Sequence, residues 1–206
     1  MRNTIINRRF KYTDVNATAI LIIINVVVFI LQNIFTKLPY ILSMVPIYIR
    51  IKHWYWQVFT YMFSHVDFWH LFSNMLGLFI FGRLVERSVG SREFLLYYLL
   101  TGTLAGAASY FMYLFSGSLF TVVLGASGAL YAVMLLFAVL FPTAVVYVFG
   151  IIPMRAPLLV ILYFFIDFLG QFRADGTAHL VHLSGLFFGF LYIMIRMKIN
   201  PLRQWG

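Results

Sequence analysis

Apolar residues in this chain fall in long runs, without the strict alternation of a half-buried strand, and short polar segments separate the runs. The first run, 17–35, suits a helix, since about twenty apolar residues at about 1.5 Å each cross roughly 30 Å of hydrocarbon. Further runs at 67–85, 94–114, 127–141, 158–169 and 177–197 predict helices 2 to 6. Residues 36–66 are not a polar linker: Trp54, Tyr55, Trp56, Phe59, Tyr61 and Phe63 predict an element lying in the headgroup region. The polar cluster 86–92 is read as the turn between helices 2 and 3. Residues 115–126 are apolar but carry Ser116, Gly117, Ser118 and Gly125. They are read as irregular backbone dipping into the membrane, which is tolerated where protein or a water cavity covers it. Pro142 closes helix 4, residues 143–156 are read as lying along a surface, and a polar loop at 170–176 precedes helix 6.

Composition sharpens this pattern. The chain has 206 residues, of which 63% are hydrophobic and 10% charged, far from a soluble average. The expectation is an all-α membrane protein with a six-transmembrane-helix bundle at 17–198, a basic segment at 1–16 and a basic tail at 199–206. The first run has no small-residue cleavage site after it and is read as a retained helix. Cysteine is absent, which excludes disulfides, thiolate metal sites and a cysteine nucleophile. The net charge of +9 sits between apolar runs, so it is assigned to topology and not to a nucleic-acid partner. Six spans put both termini on one side. Lys37, Arg50, Lys52 and Arg173 fall on the other side, and the remaining eleven of 15 Lys and Arg fall with the termini. The positive-inside rule then makes the termini cytoplasmic.

Topology brings a few polar residues to one depth. Helices 2, 4 and 6 all begin at the face opposite the termini. His70 and Asn74 lie in the first turns of helix 2, Ser127 opens helix 4, and His182 is a few residues into helix 6. Ionisable residues inside a membrane default to a functional reading. Ser127 alone has two readings, because Gly125 and Ala129 have the small-xxx-small spacing that lets membrane helices approach closely. The convergence at one depth favours a nucleophile. A serine hydroxyl needs a base within about 2.6–3.2 Å, so helices 4 and 6 must touch. Gly125, Gly128 and Ala129 on one, with Gly185 and Gly189 on the other, permit it. His182 is the base. Asp167 and Asp175 have no evident route to it, so a dyad is expected and not a triad. His70 and Asn74, spaced i, i+4, share one helix face. With the Ser127 backbone N–H at a helix N-terminus, they supply oxyanion donors. Tyr131, one turn after Ser127, is either packing for the His182 imidazole or a membrane-core aromatic. His179 is either a partner of the site or a polar helix start.

Other chemistries lack residues. There is no His-Glu-x-x-His zinc site, and no carboxylate or cysteine is seen to accompany the histidines, so no metal or cofactor is expected. An aspartyl mechanism needs two facing acids, and the aspartates sit mostly at helix ends or in loops. Position 129 is alanine, with no strand before it, unlike the Gly-x-Ser-x-Gly elbow of soluble hydrolases.

Over residues 54–195 the chain resembles the rhomboid family of intramembrane serine proteases. The resemblance rests on His70-Leu-Phe-Ser-Asn74, the Glu86 to Gly90 turn, Gly125-Ala-Ser127-Gly128, Tyr131, and Ala178-His-Leu-Val-His182-Leu-Ser-Gly185 with Gly189. It implies a Ser127–His182 dyad, an oxyanion site from His70, Asn74 and the Ser127 amide, Tyr131 stacked on His182, and helix 5 with its following loop as gate and cap. It implies cofactor-free cleavage of single- or multi-span membrane proteins in or near a membrane-spanning segment. A structural role for His65 also fits. Gln57 stands where family members often carry arginine, which puts in doubt any carry-over about that loop. The lipid bilayer is the medium, and a bare six-helix core suggests a prokaryotic plasma membrane. The alternative is a non-catalytic rhomboid-like binder of transmembrane helices. A small transporter or channel is disfavoured by the lack of buried charge and of an internal repeat.

Overall fold

The architecture comes from a computed structural model and is described for residues 10–148, 150–171 and 178–205. Among these residues it is an all-α membrane bundle of six apolar helices. Four are long enough to cross a bilayer: α1 (Ala17–Ile34), α2 (Phe68–Val89), α3 (Ser91–Phe115) and α6 (His179–Met197). Two are shorter, α4 (Ser127–Leu140) and α5 (Ala156–Gly170). Arg2, Arg8, Arg9, Arg173 and Asp175, used above for topology and for the acid inventory, lie outside the described residues, as does the loop 172–177.

The short α4 is the hub. It is apolar almost all round, as a fully buried helix should be, and nearly all of its residues from Gly128 to Val139 are buried. Helices α2, α3, α5 and α6 surround it. Its 14 residues rise only about 21 Å, less than the roughly 30 Å hydrocarbon thickness. Helix α4 alone therefore does not span the hydrocarbon. Small residues set the closest approach. A Cβ on Gly185 would stand 2.0 Å from the Gly128 carbonyl oxygen, so α4 and α6 touch backbone to backbone. One turn on, Gly189 faces Ala132 and the Tyr97 hydroxyl.

Helix α2 runs four residues past the expected end, through a π-helical segment (Leu78–Gly82). The reason lies in Glu86, which does not turn the chain but caps α1. Its buried carboxylate accepts from the Ala17 and Thr18 amides at 2.6 and 2.9 Å, the Thr18 hydroxyl at 2.7 Å and the Ser91 hydroxyl at 2.5 Å. The turn is made by Gly90, whose φ of 85° favours glycine. Ahead of α1, Arg83 holds Asp14 in a two-bond ion pair that keeps its carboxyl below the usual range.

The aromatic segment before α2 forms short helices (Leu38–Leu42, Pro46–Lys52, Gln57–Thr60) and one 3-10 turn. Trp54 and Trp56 stack, and Lys52 lies over Tyr48 and Trp54. Gln57 is fully buried: its oxygen accepts from the Val45 amide and its NH2 donates to the Tyr40 and Ile41 carbonyls. So this glutamine ties the segment together with no cation. Residues 116–126 are irregular and pinned to the same segment by Met44 and Val123, which exchange backbone hydrogen bonds of 2.9 Å.

Residues 143–156 hold strands that the run pattern does not predict. They contain an antiparallel hairpin of β1 (Val145–Val148) and β2 (Ile152–Arg155), with Tyr147 opposite Pro153. Gly150, at φ 74°, turns it. The β-branched run favours strands, and Pro153 is tolerated because a two-stranded ribbon is all edge.

His65 links the aromatic segment to the start of α4. It is buried, its ring meets His70 edge-on at 5.1 Å, and its Nε2 accepts from the Ala126 amide at 3.4 Å. Burial first, then the neighbouring His70, pushes its imidazole down to about 3 from 6.5. In that interval the unfolded chain binds a proton that the folded chain refuses, so stability is present above about pH 6.5 and is lost as pH falls toward 3. The melting temperature in detergent is expected to drop between about pH 7.5 and about pH 5, and to drop less in His65→Gln. Equal slopes in the two proteins would contradict this assignment.

Candidate active site

Ser127 is the first residue of α4, so its backbone N–H has no carbonyl one turn back within the helix and points with the positive end of the dipole. The residue before the cap carries the turn. Gly125 has φ 114°, outside the range of ordinary side chains, and its amide donates to the Tyr61 carbonyl at 3.0 Å. A Cβ on Gly125 would lie 2.7 Å from His70 Nε2 and 3.7 Å from Ser127 Oγ. Glycine there lets the His70 ring close over the serine.

His182 comes from the second turn of α6. Its Nε2 is 2.7 Å from Ser127 Oγ and its Nδ1 is 2.8 Å from Asp167 Oδ1. A carboxylate oxygen accepts, so Nδ1 carries the hydrogen and Nε2 is left to accept from the serine hydroxyl. That is the tautomer a general base requires. The Tyr131 ring lies parallel to the imidazole, centroids 4.4 Å apart and planes 14° off, and so fixes its plane.

His70 and Asn74 enter from α2, whose first turn is capped by Asp67 accepting from the His70 amide at 2.8 Å. The Asn74 NH2 donates to the His70 carbonyl at 2.8 Å, and its oxygen is buried without a partner. One hydrogen of the amide is thus engaged within the helix, and the second remains for a ligand. His70, Asn74, Ser127, Tyr131 and His182 all line one cavity of about 1130 Å³. Its remaining wall is mainly apolar and includes Met134, Leu159 and Tyr163 with the hairpin residues Val146 and Val148.

One sequence expectation is overturned. Asp167 does reach His182, and it also reaches His179, whose Nδ1 is 2.7 Å from the same Oδ1. A carboxylate therefore does accompany the histidines, and the ligand atoms of Asp167, His179 and His182 lie within 4.8 Å of one another. The short Nδ1–Oδ1 distances are those of N–H···O hydrogen bonds. His179 is buried and packs on Gly170, where a Cβ would meet its ring at 2.4 Å, so it is a partner of the site and not only a helix start. The missed signal was antiparallel geometry. Asp167 lies near the end of α5 and His182 near the start of α6, and residues so placed about one connection sit at the same depth.

The sequence model of the Rhomboid domain family matches residues 52–199. RHOMBOID-like protein 12, mitochondrial, of Arabidopsis thaliana is 38% identical over 139 residues, covering 59% of this chain and 41% of that protein. Rhomboid protein 1, mitochondrial, of Saccharomyces cerevisiae is 39% identical over 89 residues, 42% of this chain and 25% of that protein. A rhomboid protein of Bacillus subtilis, YdcA, is 30% identical over 139 residues, 66% of this chain and 65% of that protein. The chain thus spans less than two thirds of the length of each of these relatives.

Proposed function

The chain belongs to the rhomboid family, and on that premise we propose that it is an intramembrane serine endopeptidase, cutting other membrane proteins in or near a membrane-spanning segment. The observation that carries this reading is the 2.7 Å contact between Ser127 Oγ and a His182 whose other nitrogen is tied to a carboxylate. In the first step Ser127 Oγ attacks the scissile carbonyl carbon as His182 Nε2 takes its proton. The oxyanion is met by donors from His70, Asn74 and the Ser127 amide. The C–N bond then breaks, with the proton passing from His182 to the leaving amine. Water, activated by the same imidazole, releases the acyl group and restores Ser127. No metal or cofactor enters this scheme.

The cavity suits an unwound segment of substrate, since a carbonyl inside a helix is engaged with its own backbone. Substrates are therefore expected to carry helix-weak residues such as Gly, Pro or Ser near the cut. The charge bias supports cytoplasmic termini and a site that opens to the opposite face. The test is cleavage of a model single-span protein, with a Gly/Ser-rich juxtamembrane stretch, by the purified protein in liposomes. Products cut within or next to the span support the reading. Substrate retained on the protein but left whole, in a range of such substrates, supports the non-catalytic binder.

A further inference from the structure

Asp167 is the one carboxylate on α5, a helix otherwise built of apolar residues and Gly170. It is 2% exposed, a position where an ionisable group is expensive unless it is used or paired. Its Oδ1 accepts from two imidazoles at once, His179 at 2.7 Å and His182 at 2.8 Å, while Oδ2 is buried without a hydrogen-bond partner. Two rings perpendicular to one another, 6.5 Å apart, converge on a single oxygen. The bare Gly170 surface is what gives the His179 ring room, since any Cβ there would overlap it.

Resting on the protease reading above, we propose that Asp167 is the positioning residue of His182, held in its rotamer by His179. The carboxylate keeps the hydrogen on His182 Nδ1, which leaves Nε2 as the acceptor for the Ser127 proton. When that proton moves, Nε2–H forms, Nδ1–H stays in place, and the carboxylate remains ionised beside the new imidazolium. The positive charge thus appears 2.8 Å from a fixed negative one, in a site mostly shielded from water. His179 acts on the other side of Oδ1 as a second donor, which keeps the carboxylate from turning away from His182. Asp167 touches no substrate in this account and acts only through the imidazole.

The test uses two variants and two readouts on the full chain in lipid. Asp167→Asn keeps the shape and removes the charge, and Asp167→Ala removes the acceptor. Both are expected to lower kcat by about 10²-fold or more with KM within about threefold, the signature of a contact realised in the transition state. Nitrogen-15 NMR of His182 is expected to report the Nδ1–H tautomer in the parent and the Nε2–H tautomer as the major form in Asp167→Ala. An unchanged kcat in both variants, or a His182 tautomer indifferent to Asp167→Ala, overturns the proposal. The spectroscopic arm does not depend on turnover. A parent that cleaves nothing, yet shows an Asp167-dependent Nδ1–H, overturns the protease reading and leaves the Asp167–His182 coupling supported.

Discussion

Ser127→Ala and His182→Ala are each expected to reduce cleavage to background, a fall of at least about 10³-fold, and the double variant to fall no further. The reason is that the two atoms form one device: the hydroxyl is a poor nucleophile unless Nε2, 2.7 Å away, takes its proton. Neither change should unfold the bundle, because Ser127 Oγ and the His182 ring line a cavity and do not fill the core. Melting temperatures close to the parent are therefore part of the prediction. Rate constants for the two single variants that differ greatly, or that multiply in the double variant, would mean that the residues act independently. The measurement is quantitative product formation by the four proteins in matched liposomes.

Gly185→Ala is expected to be the most damaging change outside the cavity. The added Cβ would have to stand 2.0 Å from the Gly128 carbonyl oxygen, and a backbone atom has no rotamer to retreat into. Helices α4 and α6 must separate, and the separation falls between Ser127 and His182. Overpacking of this kind costs about 1–3 kcal/mol, so a lower melting temperature is expected together with at least a tenfold loss of turnover. Gly189→Ala is the comparison. Its Cβ would meet the Tyr97 hydroxyl at 2.7 Å and the Ala132 Cβ at 3.0 Å, and the tyrosine end can move. The order of damage should be Gly185→Ala well above Gly189→Ala, in both thermal melts and cleavage. The reverse order would mean that the α4–α6 approach does not set the site.

The six apolar helices were legible in the sequence, because long apolar runs mark spans, and alternating spans bring the starts of α2, α4 and α6 to one end of the bundle. Depth counting then sufficed to put His70, Asn74, Ser127 and His182 at one level. Glycine spacing alone pointed to the α4–α6 contact. What escaped was whatever depends on partners far along the chain. Glu86 looks like part of a polar turn, and only the packing of α1 against α2 reveals it as the cap of Ala17 and Thr18. The hairpin at 145–155 is two four-residue strands, one holding Pro153, too short to declare a period. Asp167 is plain in the sequence, yet nothing local gives it a reason to reach His182. The reason is the α5–α6 antiparallel pairing, which no local pattern encodes.

An activated serine at the start of α4 is open to a serine-directed phosphonate probe, which needs no knowledge of the natural substrate. The protein in lipid bilayers would be incubated with the probe, digested, and its peptides examined by mass spectrometry. One adduct is expected, on Ser127, and it disappears in His182→Ala although Ser127 is still present. Labelling of Ser127 at an undiminished rate in His182→Ala, or labelling of another residue in its place, would contradict it.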